Sequence, residues 1–107
     1  DMYIQKMMQQ AKVMQDKMQE MQARVGDTEV EGSAGGGLVA VTLTCKGVCR
    51  AVRIDPSVIS ADDAEVLEDL VKAAVNDARA KADARLAEET DAMMKGLGLP
   101  AGMQLPF

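Results

Sequence analysis

The sequence contains no histidine and no tryptophan, and Tyr3 and Phe107 are its only aromatic residues. A chain without histidine lacks the commonest general base and the commonest metal ligand of proteins. No nucleophile with a base and an orienting group beside it is recognisable either. We therefore expect no enzymatic activity, no bound metal and no cofactor.

The sequence also lacks a hydrophobic run close to the roughly 20 residues of a membrane-spanning helix, and its first residues show no basic-then-apolar pattern of the kind expected for a signal peptide. We expect a cytoplasmic protein with no membrane partner, and the 107 residues suit a single domain over residues 1–107. Twelve bases against seventeen acids give a net charge of −5, and residues 60–107 carry ten of the acids. A nucleic acid must therefore meet a local basic patch, because the net charge attracts no polyanion.

The first part of the chain has apolar residues at alternating steps of three and four. This spacing predicts a helix over about residues 1–25, and Gly26 follows where a helix would end. The seam consists of Ile4, Met7, Ala11, Met14, Met18, Met21 and Val25. A helix of that length extends about 37 Å, farther than a few short strands can cover. The seam is therefore predicted to form a core or a dimer contact rather than an adaptable peptide groove.

A second helix is predicted over about residues 61–95, followed by an extended tail over 96–107. Ser60 and Asp63 have the spacing of a capping box, and the acids that follow suit a helix N-terminus. The predicted apolar stripe is Ala64, Leu67, Val71, Val75, Ala78, Ala82, Leu86 and Met93. After Val75 the stripe continues with Ala78 and Ala82, small residues that allow close helix approach but bury little area each, so its distal half is expected to depend on a partner helix.

Three strands are predicted between the helices, at about residues 28–33, 38–45 and 48–54. The stretch Gly32–Gly37 is interpreted as the first turn. Lys46-Gly47 is interpreted as a two-residue hairpin turn that pairs Leu43 with Arg50 and Val41 with Val52. One face of this sheet would collect the apolar residues Val39, Val41, Leu43, Val52 and Ile54. The predicted fold is α+β, an α-β-β-β-α chain with a three-stranded antiparallel sheet and two long helices.

Three features invite a site but have a simpler interpretation. In the predicted register Cys45 and Cys49 lie on opposite faces, which favours two free thiols over a metal or redox pair. The glycine stretch lacks the Lys-Ser/Thr of a nucleotide-binding loop and joins two strands. A last cluster consists of the acids Asp62, Asp63, Glu65, Glu68 and Asp69. They could chelate a divalent ion, but acids are favoured in the first turns of any helix.

Five segments carry a resemblance to a known family. They are IQKMMQQAKVMQDKMQEMQ, VEGSAGGGLVAVTL, VRIDPSVI, LEDLVKAAVNDARAKA and GLGLPAGMQLPF. In these segments and their order, over nearly its whole length, the chain resembles the YbaB/EbfC family of bacterial nucleoid-associated proteins. The resemblance implies a homodimer whose long helices project like the arms of tweezers. It also implies binding of double-stranded DNA with little or modest sequence preference, at the nucleoid.

The candidate DNA-binding residues are bases that lie off the helical seams: Lys6, Lys12, Lys17, Arg24, Arg79, Lys81 and Arg85. In a symmetric dimer each base occurs twice, so a few per chain are enough to line a phosphate-spaced surface. No base-reading motif is evident. The alternative is a helical scaffold that docks DNA replication or recombination proteins through its Met-rich seam or through the tail LPAGMQLPF, and the acidic net charge favours that alternative.

Overall fold

The computed structural model describes residues 1–98. Its helices are α1 (Met2–Gly26) and α2 (Ala64–Gly96), and two short 3-10 turns, Pro56–Val58 and Ala61–Asp63, lead into α2. Its strands are β1 (Glu29–Ala34), β2 (Val39–Thr44) and β3 (Cys49–Ile54), which form one antiparallel sheet in the order β1-β2-β3. The predicted α-β-β-β-α fold is confirmed. The predicted tail lies, from residue 99 onward, outside the described residues.

The main core lies between the sheet and the first half of α2. Its fully covered residues are Val39, Val41, Leu43, Ala74 and Ala78. The three β2 residues alternate along the strand as predicted, so their side chains share the face beneath the helix. The predicted α2 stripe was partly wrong, because Ala64 is exposed and Val75 is 39% exposed, whereas Ala74 is fully buried. The helix lies so close to the sheet that alanines occupy the positions directly beneath its axis.

Gly32 explains that close approach. It belongs to β1, opposite Val41, which agrees with the predicted strand over 28–33, whereas the stretch interpreted as the turn was started too early at Gly32. A Cβ atom on Gly32 would lie 2.1 Å from the backbone nitrogen of Ala78 and 2.5 Å from the carbonyl oxygen of Ala74. The strand and the helix therefore meet backbone to backbone at this point. The turn itself starts at Gly35, where the backbone first takes a positive φ of 65°.

The β2–β3 hairpin differs from the predicted two-residue turn. The backbone N–H of Thr44 bonds to the carbonyl of Val48 (2.8 Å), and the N–H of Gly47 bonds to the carbonyl of Thr44 (2.9 Å), which makes a three-residue loop. Gly47 takes a φ of 94°, the left-handed residue that such loops need. The extra loop residue is followed by a bulge, so that Leu43 faces Cys49 rather than Arg50. The predicted pairing of Val41 with Val52 is confirmed.

β3 is the uncovered strand of the sheet. Val52 faces the same side as Val41, yet it is 53% exposed while Val41 is 1% exposed. The predicted covered face was therefore wrong at Val52. The physical reason is the position of α2, which packs over β1 and β2 and stops short of β3.

The start of α2 also differs in detail from the predicted capping box. The hydroxyl of Ser60 accepts the N–H of Asp62 at 3.3 Å and thereby caps the short turn before the helix. α2 itself begins at Ala64, and Asp63 makes no side-chain cap. Ser60 thus caps the 3-10 turn Ala61–Asp63, and the first turn of α2 has no side-chain cap.

Candidate nucleic-acid interface

α1 and the second half of α2 form a helical arm beyond the sheet, and the described chain measures 72 × 21 × 18 Å. Leu97, just after α2, lines a groove with Gln10 and Met14 of α1, so the two helices run antiparallel. The last part of the predicted seam (Met18, Met21 and Val25) is buried in the arm, packed against Leu86 and Met93.

The first part of the seam has no cover within the chain. Ile4 is 55% exposed, Met7 is 51% exposed, and Ala11 is also exposed, whereas Met14 is half-buried. On α2 the deepest residue of the arm is Met94, which is 1% exposed, rather than the predicted Met93, which is half-buried. The arm thus has a packed base at the sheet and an open apolar and polar tip.

Five of the seven candidate bases form ion pairs with acids of the same chain. The pairs are Lys17–Glu20 (3.8 Å), Arg24–Glu89 (3.4 Å), Arg79–Asp83 (3.1 Å), Lys81–Asp77 (3.0 Å) and Arg85–Glu89 (3.3 Å). Glu89 joins two of them, and its side chain is 22% exposed, so it links α1 to α2 at the base of the arm. Exposed pairs of this kind contribute only about 0–1 kcal/mol each, so a phosphate can compete for these bases.

Lys6 and Lys12 are the two candidates with no acidic partner within 4.0 Å in residues 1–98. Both lie on the exposed first half of α1, and Lys6 lines the groove shared with Leu97. Gln9 and Gln10 line the same groove and add neutral hydrogen-bonding groups. The tip of the arm therefore presents lysines whose charge is not neutralised by a neighbouring carboxylate.

Arg50 and Lys95 also have no ion-pair partner in the described part of the chain, and the sequence-based candidates left them out. Lys95 lies in the last turn of α2, on the same arm as Lys6. The spacing of bases along α2 alone does not indicate that Lys95 lies on the same arm as the bases of α1. It becomes a candidate only once the antiparallel packing of the arm is known.

Lys81 has a structural role beside its charge. Its ammonium donates to the carbonyl of Glu31 (3.1 Å), and the carboxylate of Asp77 accepts the backbone N–H of Ser33 (3.0 Å). These bonds engage groups on the outer edge of β1. The N–H of Ser33, and then the ammonium of Lys81, hold the pKa of Asp77 below its ordinary value. A phosphate that draws Lys81 away would therefore disturb the edge of the sheet.

The acidic excess is confined to one segment. Residues 55–72 contain six acids and one base, whereas the rest of the chain contains eleven of each. We call residues 55–72 the acidic end. It includes the beginning of α2, a helix of 33 residues, whose last turns form the arm. About 36 Å of helix therefore separates the acidic end from the tip of the arm.

Two other candidate sites, the acidic cluster and the cysteines, lie within the described residues. In residues 1–98 no three cysteine or carboxylate side chains are grouped to hold a metal ion. Cys45 is a half-buried free thiol and Cys49 an exposed one. Over the same residues, neither long helix combines the length and the apolar character needed to cross a bilayer.

Comparison with known proteins gave three results. Residues 1–97 match the model of the YbaB/EbfC DNA-binding family. Proteins named nucleoid-associated protein from Brucella ovis and Bartonella tribocorum are 50% and 48% identical to the chain over 101 residues, which is 94% of this chain and 94% of each relative. The crystal structure of an uncharacterized protein from Helicobacter pylori has the same fold, with a TM-score of 0.63 and 22% identity, covering 82% of this chain and 89% of that one.

Proposed function

The chain belongs to the YbaB/EbfC DNA-binding family, and on that premise we propose that it is a nucleoid-associated protein that binds double-stranded DNA as a homodimer. Binding has little or modest sequence preference, because the contacts are made to phosphates. The protein acts at the nucleoid in the cytoplasm, where such binding would affect nucleoid organisation and gene expression.

The observation that carries this proposal is the separation of charge along the molecule. The net charge of −5 is also the net charge of the acidic end, so the arm and the sheet together are neutral. Phosphate contacts depend on local charge, and salt screens charges beyond about 8–10 Å. The acidic end therefore does not repel a duplex held at the tip of the arm.

Lys6 and Lys12 make the first contacts in this proposal, because they give up no ion pair on binding. Lys17, Arg24 and Arg85 follow along the arm, each exchanging a weak carboxylate pair for a phosphate. Arg79 and Lys81 lie where α2 crosses the sheet and contribute least, since Lys81 is engaged with β1. Two arms in a homodimer double each contact, which is the tweezers arrangement that the family resemblance implies.

The test is a titration of a fluorescent duplex of mixed sequence at several salt concentrations between 50 and 300 mM. Lys6→Gln with Lys12→Gln removes four charges per dimer, so the slope of log K against log salt should fall by about 3 to 4. The matched control, Lys72→Gln, removes a lysine from the acidic end and should leave the slope unchanged. The proposal is wrong if the wild-type protein fails to bind at 50 mM salt or if the double variant keeps the full slope.

A second candidate function is the scaffold for DNA replication or recombination proteins. The exposed apolar tip of α1 favours it, since Met2, Tyr3 and Met8 are 85%, 69% and 68% exposed. The other docking segment, the tail LPAGMQLPF, lies outside the described residues. A chain that ends at Lys95 should lose partners in a pull-down if the tail docks them, and should keep binding DNA. An unchanged set of partners would argue against docking by the tail.

A further inference from the structure

We propose that the tail segment LPAGMQLPF, residues 99–107, docks on the uncovered first half of α1 and closes the tip of the arm. The occupant of this surface is thus a segment of the same chain, one that lies outside the described residues. The inference concerns a contact within one chain and does not depend on DNA binding. Four observations support it: the place where α2 ends, the apolar residues left open on α1, the sequence of the tail segment, and the polar groups of the groove.

α2 ends beside the middle of α1. The helix stops at Gly96, and Gly98 takes a left-handed φ of 77°, a common conformation just after a helix. Leu97 lines a groove together with Gln10 of α1. From Gln10 back to its first residue, α1 continues for about 12 Å more. The tail segment therefore leaves α2 at the point where the uncovered part of α1 begins.

The first half of α1 carries apolar side chains that residues 1–98 leave open. Later in the same seam, Met18 and Met21 are buried, because the last turns of α2 pack over them. Ile4 and Met7 belong to this seam as well, yet they are exposed, because α2 ends before it reaches them. The seam therefore needs a second cover, and that cover must come from something other than α2.

The groove beside the seam has room for side chains. It measures about 510 Å³ and is lined by Lys6, Gln9, Gln10, Val13, Met14 and Leu97. Volumes of about 300–1,000 Å³ are typical of sites that hold a small ligand, so this groove accepts more than one apolar side chain. Residues 2–15 contain no acidic residue. A neutral apolar segment therefore fits the surface without bringing like charges together or separating an ion pair.

The tail segment has the sequence of an extended apolar strip. Its apolar residues other than proline stand at every second position: Leu99, Ala101, Met103, Leu105 and Phe107. In an extended chain such alternation places all five side chains on one side. The two prolines oppose a helix, and Leu99 and Leu105 each precede a proline, which favours extended backbone at both residues. Nine residues at about 3.3 Å each reach about 30 Å, well beyond the roughly 12 Å of α1 to be covered.

The polar groups of the groove suit a segment of this kind. The carbonyl groups of an extended segment have no partners within the segment, so once covered they need donors from the groove. The ammonium of Lys6 and the side-chain amides of Gln9 and Gln10 are such donors. Because the tail segment contains no charged residue, its docking leaves the charges of Lys6 and Lys12 available to a phosphate.

Attachment to α2 favours the tail segment over a separate partner. Leu97 already lines the groove, and the tail segment begins two residues later. A segment on so short a connection meets the neighbouring surface at an effective concentration in the millimolar range. A separate protein with similar apolar residues would have to displace the tail segment before it reached the seam.

The test measures how fast a thiol on α1 of the full chain reacts with N-ethylmaleimide, in a Cys45→Ala, Cys49→Ser background. Met7→Cys should react about tenfold more slowly than Met8→Cys, the factor expected if the tail segment covers the seam about nine-tenths of the time. Met8→Cys is the matched control, because Met8 is the next residue of the same helix and lies off the seam.

Variants of the tail segment identify the cover. Leu99→Gln, Met103→Gln and Leu105→Gln together keep the length of the segment and make its apolar side polar, so the rates at positions 7 and 8 should become nearly equal. Gln104→Ser changes the opposite side of an extended segment and should leave the tenfold difference in place.

A second readout needs no cysteine. Phe107→Trp introduces the only tryptophan of the chain, and its emission should shift to longer wavelength when Ile4→Gln and Met7→Gln make the seam polar. Both seam residues are exposed in residues 1–98, so the circular dichroism spectrum should stay unchanged.

Several results would overturn the inference. Equal rates for Met7→Cys and Met8→Cys with the natural tail segment would mean that the seam is open. Protection that survives the polar tail variant, or that increases with protein concentration, would assign the cover to a second copy. Protection that appears only after another protein is added would assign the groove to that partner. Each of these results leaves the salt slope of DNA binding, and with it the proposed function, to be judged separately.

Discussion

Replacing Gly32 by alanine tests whether β1 and α2 meet backbone to backbone. The added Cβ would lie 2.1 Å from the nitrogen and 2.6 Å from the Cα of Ala78. Ordinary contacts between such atoms are about 3.5 Å, so the helix must move by about 1 Å or more. No side-chain rotation relieves the overlap, because the opposing atoms belong to the backbone of a helix.

The cost follows from what the movement separates. Ala74 and Ala78 share one core with Val39, Val41 and Leu43, so lifting the helix opens a gap along that whole contact. Overpacking of a well-filled core costs about 1–3 kcal/mol, and we expect the upper end, about 3 kcal/mol, because neither element can yield alone. That is a large part of the roughly 5–15 kcal/mol that stabilises a domain. At roughly 4–8 °C per kcal/mol, the melting temperature should fall by about 12 °C or more.

Thermal and urea unfolding followed by circular dichroism measure this loss. Gly96→Ala is the matched control, since nothing lies within 4 Å of its added Cβ and the substitution should cost nothing. Ala78→Gly in the Gly32→Ala background should give no rescue, because the overlap does not involve the methyl group of Ala78. A Gly32→Ala variant within about 0.5 kcal/mol of wild type, a change expected of ordinary surface positions, would refute the backbone contact.

Three further substitutions test other parts of the fold. Asp77→Asn removes a carboxylate whose pKa is lowered mainly by the N–H of Ser33. Its contribution is present above the ordinary aspartate pKa of 3.8 and is lost as pH falls through the lowered folded value. The difference between the urea midpoints of variant and wild type should therefore stay constant from pH 7 to about pH 5 and shrink only below about pH 4. Thr44→Val leaves the N–H of Val48 without the hydroxyl that accepts it at 3.1 Å and should cost about 1 kcal/mol in urea unfolding, whereas Thr44→Ser should not; equal losses would contradict this role. Met21→Ala empties the base of the arm and should cost about 2–5 kcal/mol, while Met8→Ala at the exposed tip should be neutral in thermal unfolding.

The order of helices and strands could be predicted because each element has a local signal. The heptad spacing of α1 and the alternation of Val39, Val41 and Leu43 are periodic patterns, and period decides the type of element. The turn at Gly47 and the stop before Pro56 also have residues that only a few backbone conformations accept. These local signals can be read without knowing which elements pack against each other, and they are sufficient to predict the fold class.

The errors concern which element lies against which. Glycine is typical of turns, and only the position of α2 shows that Gly32 is the point where β1 contacts the backbone of that helix. Val52 and Val75 fit an apolar pattern in the sequence, yet both are exposed in a single chain. α2 does not reach Val52, and on α2 it is Ala74 rather than Val75 that is fully buried. Periodicity identifies the face of an element that should be covered, but it does not tell whether the cover comes from the same chain.

The candidate bases show the same limit for charge. Seven bases were candidates in the sequence, and the structure separates them by their neighbours. Glu89 pairs with two of them, Glu20, Asp77 and Asp83 pair with one each, and Lys6 and Lys12 have no acidic partner in residues 1–98. Because a neighbouring carboxylate four residues away on a helix partly cancels a base, exposure alone does not rank phosphate contacts. An acidic protein can therefore carry a basic surface, provided that its acids are concentrated elsewhere. In this chain the segment 55–72 meets that condition, and the tip of α1 is the surface that it leaves unopposed.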